Sequence, residues 1–235
     1  MALPFFYITE SDSSPKEIVL DEDTSKHIVQ VLRMKEGEQL NLTDGKGNLI
    51  SCEIIESHKK HCKVAIKETS NREPVTRNII IAISLLKNAT RFEWFLEKAT
   101  EIGVTQIIPL ICERTEKEKF RYDRMNSICI SAMLQSQQCW LPVLHEPVEF
   151  ENLMIQQFEN YQKLIAHCEE SDKRQLNDFQ VGKLANYLIC IGPEGDFARK
   201  EIELALQNNF IPVSLGETRL RSETAGIVAA TLLCN

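Results

Sequence analysis

No apolar run in this chain approaches the roughly 18 residues that a membrane-crossing helix needs. The opening Met1-Ala2-Leu3-Pro4-Phe5-Phe6 lacks a basic start and a long apolar core, so a secretory leader is not expected. None of the eight cysteines belongs to a C-x-x-C pair. Several sit in apolar runs such as Leu188-Ile189-Cys190-Ile191, where a thiol acts as a small hydrophobe. Scattered thiols point to a reducing cytoplasm rather than a disulfide framework. Cys52, His58, His61 and Cys62 make a metal set on paper only: His61 and Cys62 are adjacent and no C-x₂₋₄-C exists, so no metal is expected. Phosphate-cradling signatures are missing too. There is no G-x-x-x-x-G-K-[ST], and Gly45-Lys46-Gly47-Asn48-Leu49-Ile50 lacks the third glycine of G-x-G-x-x-G and reads as a hairpin turn. A classical Rossmann enzyme is therefore disfavoured. Positive charge is short as well, with a net charge of −7.

The distribution of charge is more informative than its total. Residues 1–76 carry −3, residues 77–140 carry +2 and residues 141–235 carry −6. The middle stretch holds Arg114, Lys117, Lys119, Arg121 and Arg124, an RNA-contact candidate or a solvated loop. Hydrophobic residues make up 43% and charged residues 26% of 235, the profile of a globular chain.

The first 70 residues read mostly as short strands. Candidates are 5–8, 17–20, 39–42, 49–54 and 61–66, with a turn at Asp44-Gly45-Lys46-Gly47-Asn48 and a short amphipathic helix over 25–33. Such a pattern predicts a small β-barrel. The polar stretch 68–74 reads as a linker. Strands and helices then alternate: strand 78–86, helix 90–102 closed by Gly103, strand 106–111, helix 121–137, strands 163–168 and 187–191, helix 198–208, strand 210–215 and a last helix from about 222. This order predicts a parallel sheet covered by helices, an α/β domain.

Two glycine-bearing segments follow strands: Ile191-Gly192-Pro193-Glu194-Gly195-Asp196-Phe197 and Leu215-Gly216-Glu217-Thr218-Arg219-Leu220-Arg221-Ser222-Glu223-Thr224-Ala225. Both would lie at the carboxyl edge of the sheet, where α/β folds bind ligands. Together, G-P-E-G and L-G-x-x-x-L-R-x-E-T-A resemble the SPOUT methyltransferases, and most closely the RsmE family, which methylates N3 of a uridine in 16S ribosomal RNA. Further stretches share the resemblance in order: His27 with Val31-Leu32-Arg33, Asp44–Gly47, Lys98–Val104, Pro109-Leu110, Glu113-Arg114 and Gln135-Ser136.

The resemblance implies a PUA-like RNA-binding barrel over 1–72 and a SPOUT α/β domain over 73–235 whose last segments form a trefoil knot. It implies S-adenosylmethionine as donor, S-adenosylhomocysteine as product, a homodimer that completes the site, and a partner in the small ribosomal subunit, the family substrate being uridine 1498. A ribose 2′-O-methyltransferase of the SpoU branch and a non-catalytic ribosome-binding factor are the alternatives. The chain also departs from the family pattern. Asp196 and Ala198 stand where G-P-E-G-G-F-S has its second glycine and its serine, Lys87-Asn88-Ala89-Thr90-Arg91 replaces a K-G-D-K-like segment, and Gln137-Gln138 follows Gln135-Ser136 where an arginine is common. Ala198 has no side-chain oxygen to cap a helix, so Asp196 is the expected cap, starting the helix two residues earlier.

Methyl transfer to a uridine N3 requires alignment of donor and acceptor and loss of the imide proton. Arg114 and Arg221 are candidates to stabilise charge developing on O2 and O4. Glu194 and Glu223 are candidates to take the proton. Arg221 reads equally as a loop ion pair, and Glu223 as a helix-start carboxylate facing the dipole. Expected donor contacts are His167, Ile191, Gly192, Pro193, Glu194, Gly195, Leu215, Gly216, Leu220, Arg221, Thr224 and Ala225, with His167 also readable as an ordinary edge histidine. Expected RNA contacts are His27, Arg33, Arg114, Arg121 and Arg124, His27 being also readable as a solvent-facing position.

Overall fold

The computed structural model describes residues 3–9, 16–74, 77–117, 119–179 and 186–234. It divides into two compact units, Met1–Pro74 with Met133–Leu141, and Val75–Ala132 with Pro142–Asn235.

The first unit holds one five-stranded sheet of β1 (Phe5–Tyr7), β2 (Glu17–Val19), β3 (Gln39–Thr43), β4 (Asn48–Glu56) and β5 (Lys63–Asn71). Its order is β1-β3-β4-β5-β2, with β1 parallel to β3 and the other pairs antiparallel. Ile18, Leu40, Leu42, Ile54 and Val64 alternate inward to form its core with Ile28. The expected linker is partly strand. β5 continues through Asn71, with Glu68 opposite Ser51 and Asn71 opposite Asn48. Its outer residues are exposed, so the ladder is held by backbone bonds that polar side chains neither supply nor prevent. The expected helix over 25–33 is also displaced. α1 covers Glu22–Lys26 because Asp21 caps it, accepting from the Thr24 N–H at 2.9 Å. A π-helical turn, His27–Val31, follows, and Arg33 leaves it at φ 56°.

The β3–β4 hairpin turn clasps the segment Met133–Leu141. The Gly47 N–H donates to the Cys139 carbonyl at 2.8 Å, the Leu141 N–H to the Gly45 carbonyl at 2.9 Å, and the Trp140 indole to the Arg72 carbonyl at 3.0 Å. Gly47, at φ 94°, lies so near Trp140 that a Cβ would sit 2.4 Å from the ring.

The second unit is built on β6 (Ile79–Ser84), α2 (Ala89–Ile102), β7 (Gln106–Ile111), α3 (Tyr122–Gln135, whose last residues pass into the first unit), β8 (Val143–Leu144), β9 (Val148–Glu149), α4 (Phe150–Met154), β10 (Tyr161–Ala166), β11 (Arg174–Gln175), β12 (Asn186–Ile191), α5 (Arg199–Gln207), β13 (Ile211–Ser214) and α6 (Ser222–Cys234). The sheet runs β11-β13-β10-β12-β6-β7-β8, with β9 also beside β7, and every pair is parallel. β6 and β12 are its buried centre, which explains their unbroken apolar runs. α2 starts at an Asn88 cap, stops at left-handed Gly103, and packs against α6. Phe150 and Phe197, 5.2 Å apart between ring centres, fill the core under α4 and α5. Because β13, β10 and β12 are neighbours and parallel, their carboxyl ends deliver residues 167–173, 192–197 and 215–221 to one edge.

Candidate functional site

A cavity of about 660 Å³ opens at that edge, within the second unit. Its wall comes from the ends of three strands: Ala166 to Cys168 after β10, Ile191 to Glu194 with Asp196 after β12, and Val213 to Ser222 after β13, closed by Ala225 of α6. Of the expected donor contacts, His167, Ile191, Gly192, Pro193, Glu194, Leu215, Gly216, Leu220, Arg221 and Ala225 line it. Gly195 and Thr224 lie outside the lining, and so do Arg114 and Glu223.

The loop after β12 is held from several directions. Arg114 donates to the Gly195 carbonyl at 2.7 Å and to the Phe197 carbonyl at 3.3 Å. Arg114 is thus a brace for the loop, and its guanidinium is turned to backbone oxygens. The Glu194 carboxylate accepts from the Lys87 N–H at 3.1 Å, which ties the loop to the start of α2. The Gly192 position is tight, since a Cβ would lie 3.1 Å from the Phe197 ring and backbone and would press both back by a few tenths of an ångström.

Asp196 does not cap α5. The helix begins at Arg199, with Ala198 in the cap position, and half of a capping box survives without a side-chain oxygen there: Glu201 Oε2 accepts from the Ala198 N–H at 2.7 Å. Asp196 instead adopts φ 65°, a left-handed conformation that suits glycine and is tolerated by aspartate. Its carboxylate accepts from the Cys168 N–H at 2.7 Å and from the Phe197 N–H at 2.9 Å.

His167 is 9% exposed, and neither ring nitrogen has a hydrogen-bond partner among the described residues. Burial, reinforced by Lys173, pushes its protonation below the usual imidazole range. Lys173 also lines the cavity, with its ammonium on the carbonyls of His167 and Glu169 at 2.8 and 2.6 Å. Lys173, Asp196 and Arg219 were not among the expected contacts. Arg219 lay inside the quoted motif, whereas Lys173 sits in a polar turn that periodicity does not mark. Glu223 is buried at the start of α6 beside Arg91, with Oε1 3.7 Å from Nε, and its other oxygen has no hydrogen-bond partner among the described residues.

The expected RNA contacts are spread over both units. His27 meets Phe6 edge-on, with ring centres 5.8 Å apart, and Arg33 is exposed. Arg121 is exposed, while Arg124 is held by both oxygens of Glu93 at 2.6 and 2.8 Å. No group of three or more His, Cys, Asp or Glu among the described residues could hold a metal ion. No helix there is long and apolar enough to cross a membrane.

The cavity suits a nucleoside bearing a charged tail. It joins apolar Ile191, Leu215 and Leu220 to unpartnered imidazole nitrogens and exposed arginines. Comparison with known proteins agrees with this chemistry. Residues 71–234 match the RNA methyltransferase domain family and residues 20–67 the RNA methyltransferase PUA domain. A ribosomal RNA small subunit methyltransferase E from Bacillus subtilis is 30% identical over 88% of this chain and 85% of its own length. The crystal structure of a probable rRNA-methyltransferase from Porphyromonas gingivalis superposes with a TM-score of 0.89 at 38% identity, covering 98% of each chain. A ribosomal RNA small subunit methyltransferase E from Neisseria gonorrhoeae, crystallised with bound S-adenosyl methionine, gives a TM-score of 0.85 at 27% identity over 97% of this chain and 95% of its own. On this combined evidence, the chain belongs to the ribosomal RNA small subunit methyltransferase E family.

Proposed function

We propose that this protein transfers a methyl group from S-adenosylmethionine to N3 of a uridine in the 16S RNA of the small ribosomal subunit, uridine 1498 in the family's substrate. The observation that carries the reading is the cavity at the ends of β10, β12 and β13, in a chain that superposes along almost its whole length on a family member crystallised with that donor.

When bound, S-adenosylmethionine supplies a methyl group on a sulfonium, whose S–C bond breaks as the N3–C bond forms. The chain's own residues bind, orient and screen. Ile191, Leu215 and Leu220 offer an apolar seat for the adenine ring, while backbone groups of 191–194 and 215–221 face its polar edge. Arg221 lines the cavity and is exposed, and is read as the guanidinium that stabilises negative charge on uracil O2 and O4 once the imide proton leaves. Glu194, the carboxylate of the candidate pair that lies on the cavity, is read as the acceptor of that proton. Glu223, in the first turn of α6, faces Arg91 and is read as a support for the helix start. Arg114 supports the loop after β12.

The last segments are read as a trefoil knot. The support is topological: β13 lies outside β10, yet the chain after it returns through 215–221 so that α6 packs on α2, β6 and β12. The active form is read as a cytoplasmic homodimer, with half-exposed Ile227 and Val228 of α6 available to a second copy. The first unit, through His27 and Arg33, and the basic stretch at Arg121 and Arg124 are read as RNA contacts.

The test is small-subunit RNA from a strain lacking the gene, mapped for the missing methyl group, alongside calorimetry with S-adenosylhomocysteine. The expected result is loss of a single N3-methyluridine, restored by the purified protein and donor. An unchanged modification profile refutes the assignment. Binding without any lost mark would favour a non-catalytic factor.

A further inference from the structure

Two residues in the wall of the cavity form a unit that the methyl-transfer chemistry does not use. His167 buries an imidazole with both nitrogens unpartnered among the described residues. A buried polar group left unsatisfied costs free energy, and a ligand in the cavity is the partner within reach. Its backbone is fixed on two sides. Lys173 holds the His167 carbonyl at 2.8 Å, and the next N–H, that of Cys168, donates to Asp196 Oδ2 at 2.7 Å. Asp196 belongs to the loop after β12, and its Oδ1 accepts from the Phe197 N–H at 2.9 Å. One carboxylate therefore joins the ends of β10 and β12 at the cavity.

We propose that Asp196 is a positioning residue for the methyl donor and acts through His167, whose ring nitrogens hydrogen-bond the nucleoside part of that donor. The inference rests on the donor reading of the same cavity. A neutral imidazole offers one N–H and one acceptor, and ribose hydroxyls and adenine nitrogens present both complements. Glycine, which the family pattern has at this position, permits the same backbone but supplies no tie between the two strand ends. In this chain the aspartate adds that tie.

The experiment is a double-mutant cycle on the full-length protein, reading the dissociation constant of S-adenosylhomocysteine by calorimetry for wild type, D196G, H167A and D196G/H167A, with thermal unfolding of each in parallel. Glycine suits the left-handed backbone, so D196G removes the carboxylate without strain. D196N, which keeps one acceptor oxygen, serves as a graded second variant and as a substitute should D196G not fold. Residues in one network couple. The expected result is about tenfold weaker binding for D196G alone, an intermediate loss for D196N, and less than about a twofold further loss when D196G is added to H167A. In turnover, donor KM rises for D196G while kcat at saturating donor is retained. Equal weakening by D196G in both backgrounds, or none in either, overturns the inference and leaves the donor site intact. Failure of the wild type to bind overturns the donor site and the inference with it.

Discussion

Replacing Glu201 by alanine should unsettle the second unit more than any surface change near it. Glu201 is 1% exposed, and both carboxylate oxygens are committed: Oε1 accepts from the Glu113 N–H at 2.9 Å and Oε2 from the Ala198 N–H at 2.7 Å. Truncation strands both donors. A buried donor left without its partner costs about 1–3 kcal/mol. Water entering the vacated space returns part of this. The expected loss is about 3 kcal/mol. For a unit of this size, that lowers the midpoint by about 6–12 °C. E201Q keeps one acceptor and turns an amide N–H toward a backbone N–H, so it should fall between the two. Thermal and urea unfolding followed by circular dichroism measure the loss. Calorimetry with S-adenosylhomocysteine reads the consequence, because Ala198 directly follows the loop that lines the cavity. An E201A protein within about 1 kcal/mol of wild type would refute the reasoning, since it would mean that these two N–H groups find other partners.

Gly47→Ala should destabilise the first unit by about 2 kcal/mol or more, because the added Cβ meets Trp140 at 2.4 Å and the Arg72 carbonyl at 3.0 Å while φ stays at 94°. A urea midpoint unchanged from wild type would count against the clasp. Arg121→Ala should reduce the salt dependence of RNA binding by about one charge, whereas Arg124→Ala should change it less, since Glu93 already holds that guanidinium. Filter binding across a salt series separates the two, and the reverse order would sink the assignment. His145, through burial, and His167, through burial and then Lys173, both protonate below the ordinary value of 6.5. The folded state therefore holds fewer protons on them than the unfolded chain does. Stability is retained above 6.5 and declines as pH falls through that value toward the lower folded values. A flat stability profile across that window in H145Q/H167Q, against a sloping wild type, is the expected outcome.

The longer strands and helices of the second unit were legible because their signals are local and strong, whereas α4 and the short β8, β9 and β11 were not read. Continuous apolar runs mark β6 and β12, and Gly103 ends α2 where the period stops. The strand order was not legible, because β13 finds its place between β11 and β10 through pairing partners far away in the chain. Two-residue strands such as β8 and β11 carry no period at all. The extension of β5 was hidden for a different reason. An exposed ladder segment such as Glu68–Asn71 has no apolar side to alternate with, and polarity there reads as a linker. The clasp of Met133–Leu141 on the first unit was equally silent, since a chain returning to an earlier unit leaves no composition shift where it does so.

The site shows the same division more sharply. The two glycine segments could be assigned to one edge from order alone, because parallel strands put all their carboxyl ends on the same side. Which side chains at that edge face a ligand, and which hold the loops, depends on contacts between segments. Arg114 and Glu194 look alike in sequence as charged residues in matching motifs, yet one is spent on the carbonyls of Gly195 and Phe197 and the other lines the cavity. Asp196 is the clearest case. In sequence it reads as a departure from the family's glycine and, as an acidic residue before a helix, as a cap. The backbone at φ 65° explains why glycine suits the position, and the bond to the Cys168 N–H explains what an aspartate gains there. A departure from a family pattern can therefore relocate a function instead of removing it: the helix start passes to Glu201, and the side chain at 196 is released to join two strand ends.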